Sequence, residues 1–278
     1  MSATRSFKMA ISFFSCCLLA CETSTAHHIN LPDTISKTAD ISLQPDYTRI
    51  KQPDSSFGTW LRTYPLKRSK TVKYFDGKTK PDQSAVYAVL DMKTGDKDLQ
   101  QCADAIIRAR AEFLLKMGKV EEIWFLSTSM QKLSFKAWCG GQRFRVKGNL
   151  LEVYSTGERK LPNAHSLDQW LPFVFTYAGT YSLQKQLKQK PAGAVPEPGD
   201  VVIEAGFPGH AMLVMDVAKN SSNKYQFILA QSYMPAQDMH IVVNTRDRAA
   251  SPWYKGQSAG QRFNTPDWSF RDLRFYSW

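Results

Sequence analysis

The sequence predicts an α+β fold, and three observations carry it. A long helical pattern comes early, in "DLQQCADAIIRARAEFLLKMG" at residues 98–118. Apolar strands come late, in "PGDVVIEAGFPGHAMLVMDVA" at 198–218 and "KYQFILAQSYMP" at 224–235. The polar "NSSNK" between those strands reads as a hairpin loop, so this part of the sheet is expected to be antiparallel. Helices and strands that segregate along the chain, rather than alternate, point to α+β.

Folded structure is expected to begin near "SFGTWLRTYPL" at 56–66, with "TVKYFDGKTK" at 71–80 turning at its Asp-Gly. "SAVYAVLDM" at 84–92 reads as a buried strand. The helix over 98–118 has Asp98 as a plausible N-cap and Gln101 three residues on, a capping-box pattern. Leu99, Cys102, Ile106, Phe113 and Met117 recur near one helical face, and Gly118 suits the C′ position. "EEIWFLST" at 121–128 is strand-like, and "FKAWCGGQRFRVKGN" at 135–149 is basic and rich in turn residues. Residues 166–189 are helical in character, with Pro172 and Gly179 expected to bend or break them. "KPAGAVPEPGD" at 190–200 reads as a surface loop. Strands that are apolar throughout, as at 224–235, are buried on both faces.

The chain has 278 residues, 43% of them hydrophobic and 12% aromatic, which supports a real core. Its beginning reads as an export signal. Arg5 and Lys8 precede the apolar "MAISFFSCCLLA", which is too short for a membrane span. "LLAC", Leu18 to Cys21, resembles the bacterial lipobox, in which lipid is attached to the cysteine sulfur. The expected organisation is a signal peptide over 1–20, a Ser/Thr/Pro-rich tether over 21–55 and one domain over 56–278. Lipid on Cys21 implies a membrane anchor and a place in the outer membrane or periplasm of a bacterial envelope. Cleavage after residue 20 removes Arg5 and Lys8 and no acid, lowering the formal +11 charge by two. The remaining basic surface suits acidic glycans or anionic lipid, and no nucleic-acid motif is present.

Of five cysteines, only Cys102 and Cys139 remain once the signal segment and Cys21 are set aside. In an oxidising compartment they form either one disulfide or free thiols. Cys102 sits in the first turns of its helix, where unpaired N–H groups and partial positive charge favour thiolate. His210 opens a strand and can supply a general base. Gln231 ends the next strand, and its carbonyl can orient the imidazole. Each has a plainer reading, as a core cysteine, a structural histidine and a strand-end polar residue. His240 is an alternative base or a plain surface residue, and Asp216, which shares a strand face with His210 by alternation, is an alternative orienting residue. Trp253, Tyr254 and Trp268 line a groove for glycan or peptide, or pack as lids.

The order Cys on a helix start, His on a strand start, polar residue on the following strand resembles papain-like cell-wall hydrolases of the NlpC and CHAP type. Gln101-Cys102, "PGDVV" and Gly209-His210 resemble their short motifs. That resemblance implies a papain-like fold with a helix-borne cysteine and an antiparallel sheet, enlarged by insertions that include the Trp-rich 120–180 region. A closer resemblance runs over 56–277. "SFGTWLR", "DLQQCADAIIRARAEFL", "VFTYAGTYSL", "GFPGHAMLVMDVA", "LAQSYMPAQDMHI", "PWY" and "TPDW" look like the bacterial lipoprotein family of domain of unknown function 4846. It implies no reaction.

The expected function is a cysteine amidase or endopeptidase acting on peptidoglycan peptides. Cys102 is the nucleophile, His210 the base, and Gln231 its orienter. Gln101, Gly209 and Ser232 support the site, Gln101 together with the helix-start N–H groups as an oxyanion site. No metal or cofactor is implied. The alternative is a non-catalytic envelope protein that holds glycan or peptide in the same cleft.

Overall fold

The computed structural model describes residues 31–257 and 260–278. The segment expected to be a signal peptide, residues 1–20, and the expected lipidation site Cys21 lie outside the described residues. The first elements are β1 (Tyr47–Arg49), α1 (Phe57–Arg62), β2 (Val86–Val89) and α2 (Cys102–Lys116). Next comes the hairpin of β3 (Trp124–Leu126) and β4 (Lys132–Ser134), then α3 (Phe135–Cys139), then the hairpin of β5 (Gln142–Lys147) and β6 (Leu150–Ser155). Helices α4 (Ala164–Tyr177) and α5 (Thr180–Gln186) lead to β7 (Lys188–Gln189), β8 (Val201–Glu204), β9 (His210–Asn220) and β10 (Tyr225–Gln231). The chain closes with β11 (His240–Val242), β12 (Trp253–Lys255), β13 (Phe263–Asn264), β14 (Ser269–Phe270) and β15 (Phe275–Ser277).

Nine strands make one sheet, ordered β2-β11-β10-β9-β8-β15-β7, with β1 paired to β9 and β12 paired to β10. Every pairing in it is antiparallel. The β9–β10 hairpin turns at the polar "SSNK", as its composition indicates. Alternate residues of β9 serve two cores. Ala211, Leu213 and Met215 join the larger core on the side of α2 and α4. Met212, Val214 and Val217 join a second core capped by Phe263, Phe270, Leu273 and Phe275. Both faces being covered is why the strand is apolar throughout rather than alternating.

The α+β, papain-like expectation is overturned. The fold is sheet-rich, 29% strand against 22% helix, and nothing in it supports the papain-like assignment. The reason lies in strands of two to four residues. β1, β11, β12 and β15 are too short to show a period of two, yet each completes the large sheet.

Residues 31–55 were expected in the tether, but they pack on the domain. β1 pairs with the far end of β9, and Ile41 is 1% exposed. Arg49, from this segment, and Arg62, from α1, close on the fully buried Asp216 of β9 at 2.5 and 2.6 Å. Asp216 is thus a structural anchor rather than a partner of His210. Two cations on one buried carboxylate offset its desolvation, which an unpaired charge would not survive.

Candidate functional site

The site is built where the start of α2 meets the start of β9 and the end of β10. Gln101, not Asp98, is the N-cap of α2: its backbone is extended and its N–H donates to the Asp104 carboxylate at 3.1 Å. That contact is one half of a capping box, with the N3 acid reaching back. Asp98 instead accepts from the Ala236 N–H at 2.7 Å and from Gln101 Nε2 at 3.1 Å, tying the helix entry to the loop after β10. The helix ends as expected, with Gly118 at φ +70, a conformation that favours glycine.

Cys102 is therefore the first residue of α2. Burial pushes its thiol up to about 11, with the Asp104 carboxyl adding to the rise. The backbone N–H groups of Ala211, Ala103 and Cys102 itself act the other way, stabilising negative charge on sulfur. The contact to Ala211 places the sulfur against the residue that follows His210. Cys102 and Cys139 are both free thiols; Cys139 ends α3. Asp104 is held well above the usual carboxylate range by burial.

His210 is 1% exposed, and burial brings its imidazole down to about 4, against the raising influence of Gln231 and Asp267. The resting pair at neutral pH is thus a thiol and a neutral imidazole rather than an ion pair. His210 Nε2 lies 2.8 Å from Gln231 Oε1. The ring is packed by Tyr233, Trp268 and Phe270, with centroids 5.0, 5.3 and 5.9 Å away. Gln231 Nε2 in turn faces Asp267 Oδ2 at 2.6 Å and His240 Nε2 at 3.5 Å.

Cys102 and Gln101 line a cleft of about 350 Å³ between the start of α2, the α4–α5 junction and the β8–β9 loop. Its lips carry Tyr181, Met234 and Phe207, the last 98% exposed. None of the described residues lining it is lysine or arginine, although the protein is strongly basic. A cleft of this size, with no basic residue among its described lining, suits an uncharged or cationic segment with apolar edges better than an anion.

Of the expected support residues, Gly209 forms part of the cleft wall. A Cβ there would come within 2.6 Å of Thr180 Oγ1 and 2.7 Å of the Gly206 nitrogen, so no side chain fits. Ser232 is buried, donates to the Gln237 carbonyl at 2.8 Å and lies 3.2 Å from the Gln100 carbonyl. It braces the site without reaching the cleft.

The expected binding aromatics separate. Trp253 and Tyr254 belong to β12 and are buried, so they are core residues and not a groove. Trp253 Nε1 donates to the Ser42 carbonyl at 2.7 Å, beneath the segment read as tether. Trp268 packs against His210 with its ring tilted 36° to the imidazole. The residues missed were Tyr181, Phe207 and Met234 at the lips and Asp267 behind Gln231. "TPDW" drew attention to its tryptophan, whereas its aspartate makes the contact.

Residues 38–276 match a family model described as a domain of unknown function (4846), and the chain belongs to that family. No curated protein and no solved structure matches it.

Proposed function

We propose that this member of the domain of unknown function 4846 family is an envelope-anchored cysteine amidase or endopeptidase acting on peptidoglycan peptides. The observation that carries the reading is a single junction. The Cys102 sulfur sits in the cleft wall at a helix start, in contact with the Ala211 N–H, while the neighbouring His210 is oriented by Gln231 at 2.8 Å. The export signal and lipobox-like Cys21 support the envelope setting.

With both groups neutral at rest, the thiol proton moves as attack occurs. His210 takes the proton while Cys102 Sγ bonds to the amide carbon. The N–H groups at the start of α2, with the second amide hydrogen of Gln101 (the first is held by Asp98 at 3.1 Å), are the donors for the oxyanion that forms. Collapse breaks the C–N bond, and the imidazolium gives its proton to the leaving amine. Water, deprotonated by His210, then cleaves the thioester, and the returning proton restores the thiol.

A second reading has its own observation. The thiol's rise to about 11 and its burial suit a packed cysteine, leaving a cleft that binds peptide or glycan without cleaving it. Turnover of purified stem peptides by the full-length protein separates the two. Amine release that disappears in Cys102→Ala supports the enzyme. Binding of the same peptides by wild type and Cys102→Ala alike, with no release by either, supports the binder.

A further inference from the structure

The Gln231 amide is gripped from several sides, and the grip has one proton arrangement that satisfies all of it. A glutamine amide offers two donor hydrogens on nitrogen and an acceptor on oxygen. His240 Nδ1 lies 3.0 Å from the Asp238 carbonyl, which only accepts, so Nδ1 carries the hydrogen and Nε2 is bare. That bare nitrogen and the Asp267 carboxylate, 3.5 and 2.6 Å away, both face Gln231 Nε2. A flipped amide would set its oxygen against a carboxylate and a lone pair. Gln231 Oε1 is therefore turned to His210, and an acceptor at 2.8 Å requires hydrogen on His210 Nε2. His210 Nδ1 is left bare, free to take a proton.

We propose that Asp267 is a positioning residue that, through Gln231, fixes His210 as the tautomer with its hydrogen on Nε2 and its base on Nδ1. For its catalytic consequence this rests on the Cys102–His210 reading above. Asp267 is itself held: Lys80 Nζ lies 3.6 Å from its other oxygen, and the Tyr233 hydroxyl donates to its backbone carbonyl at 3.2 Å. Its neighbour Trp268 covers the His210 ring, so one short loop both orients the imidazole and shields it from water. His240 is the second acceptor at the amide and Asp267 the charged, closer one.

The test is ¹⁵N NMR of the full-length protein labelled at histidine, with His210 assigned by its loss in His210→Gln. The expected wild-type signal is a protonated Nε2 and a bare Nδ1. In Asp267→Ala the Nδ1–H form should become populated, with turnover falling at least about tenfold, short of the roughly 10²–10⁴ that a general base supplies. The gentler Asp267→Asn, which can donate to Gln231 as well as accept, should also mix the tautomers and serves if the alanine variant does not fold. A wild-type Nδ1–H tautomer overturns the proposal, as does an unchanged tautomer in a folded Asp267 variant. A tautomer that responds to Asp267 while Cys102→Ala leaves turnover intact upholds the positioning role and sinks the hydrolase reading alone.

Discussion

His210, the first residue of β9, and Gln231, the last of β10, meet across the sheet at 2.8 Å, Nε2 to Oε1. The β9–β10 hairpin brings them together. The register pairs Ala230 with Leu213, so the ends of both strands lie at the same edge as the start of α2. The contact is buried, which makes the protonation of His210 a matter of stability as well as chemistry.

The first consequence is acid sensitivity. His210 and His240 are both brought down to about 4 by burial, whereas an unfolded histidine titrates near 6.5. Between these values the unfolded chain binds more protons than the folded one. Stability from the two neutral rings is therefore full above about pH 6.5 and is lost as pH falls toward 4, by about 3 kcal/mol for each ring. Urea unfolding at pH 7.5, 5.5 and 4.5 should show this decline, and His240→Gln should roughly halve it, leaving the share of His210. A flat profile in wild type would mean that the rings are not buried neutral.

A second concerns Asp216. Arg62→Ala leaves a fully buried carboxylate with Arg49 as its remaining cation and should destabilise the fold by about 3 kcal/mol. Lys136→Ala, which removes an exposed pair with Glu121, should change stability by less than about 1 kcal/mol. Chemical denaturation of the two variants checks the contrast. Equal effects would remove the anchoring role given to residues 31–62.

The cleft lips make a third prediction. Phe207 is almost entirely exposed, so Phe207→Ala should leave stability within about 0.5 kcal/mol of wild type. If its ring covers part of a bound peptide, KM should rise by about fivefold, or about 1 kcal/mol of lost apolar contact, with kcat unchanged. Steady-state kinetics on stem peptides reads this directly, and an unchanged KM would place the substrate elsewhere.

Long patterns were legible in the sequence and short ones were not. α2, β9 and β10 announce themselves because many apolar residues repeat in register, and the hairpin between the two strands follows from its polar turn. The segment over 31–55 hides its role because its few anchors, Leu31, Ile41 and Arg49, are scattered among polar residues. Cys102, His210 and Gln231 could be named from helix-start and strand-edge positions; the structure pairs His210 with Gln231 and sets Cys102 beside the Ala211 backbone, in the cleft lining. Asp267 lies in a loop, where neither periodicity nor propensity says which way a side chain points.

The central claim is that Cys102 forms a covalent acyl intermediate. Intact-mass and peptide-mapping analysis of the full-length protein, acid-quenched during turnover of a stem peptide, tests it most directly. The account predicts a mass increase equal to the acyl part of the substrate, located on Cys102, absent in Cys102→Ala and much reduced in His210→Ala. Peptide cleaved equally well by Cys102→Ala, or bound without any adduct or product, would contradict it.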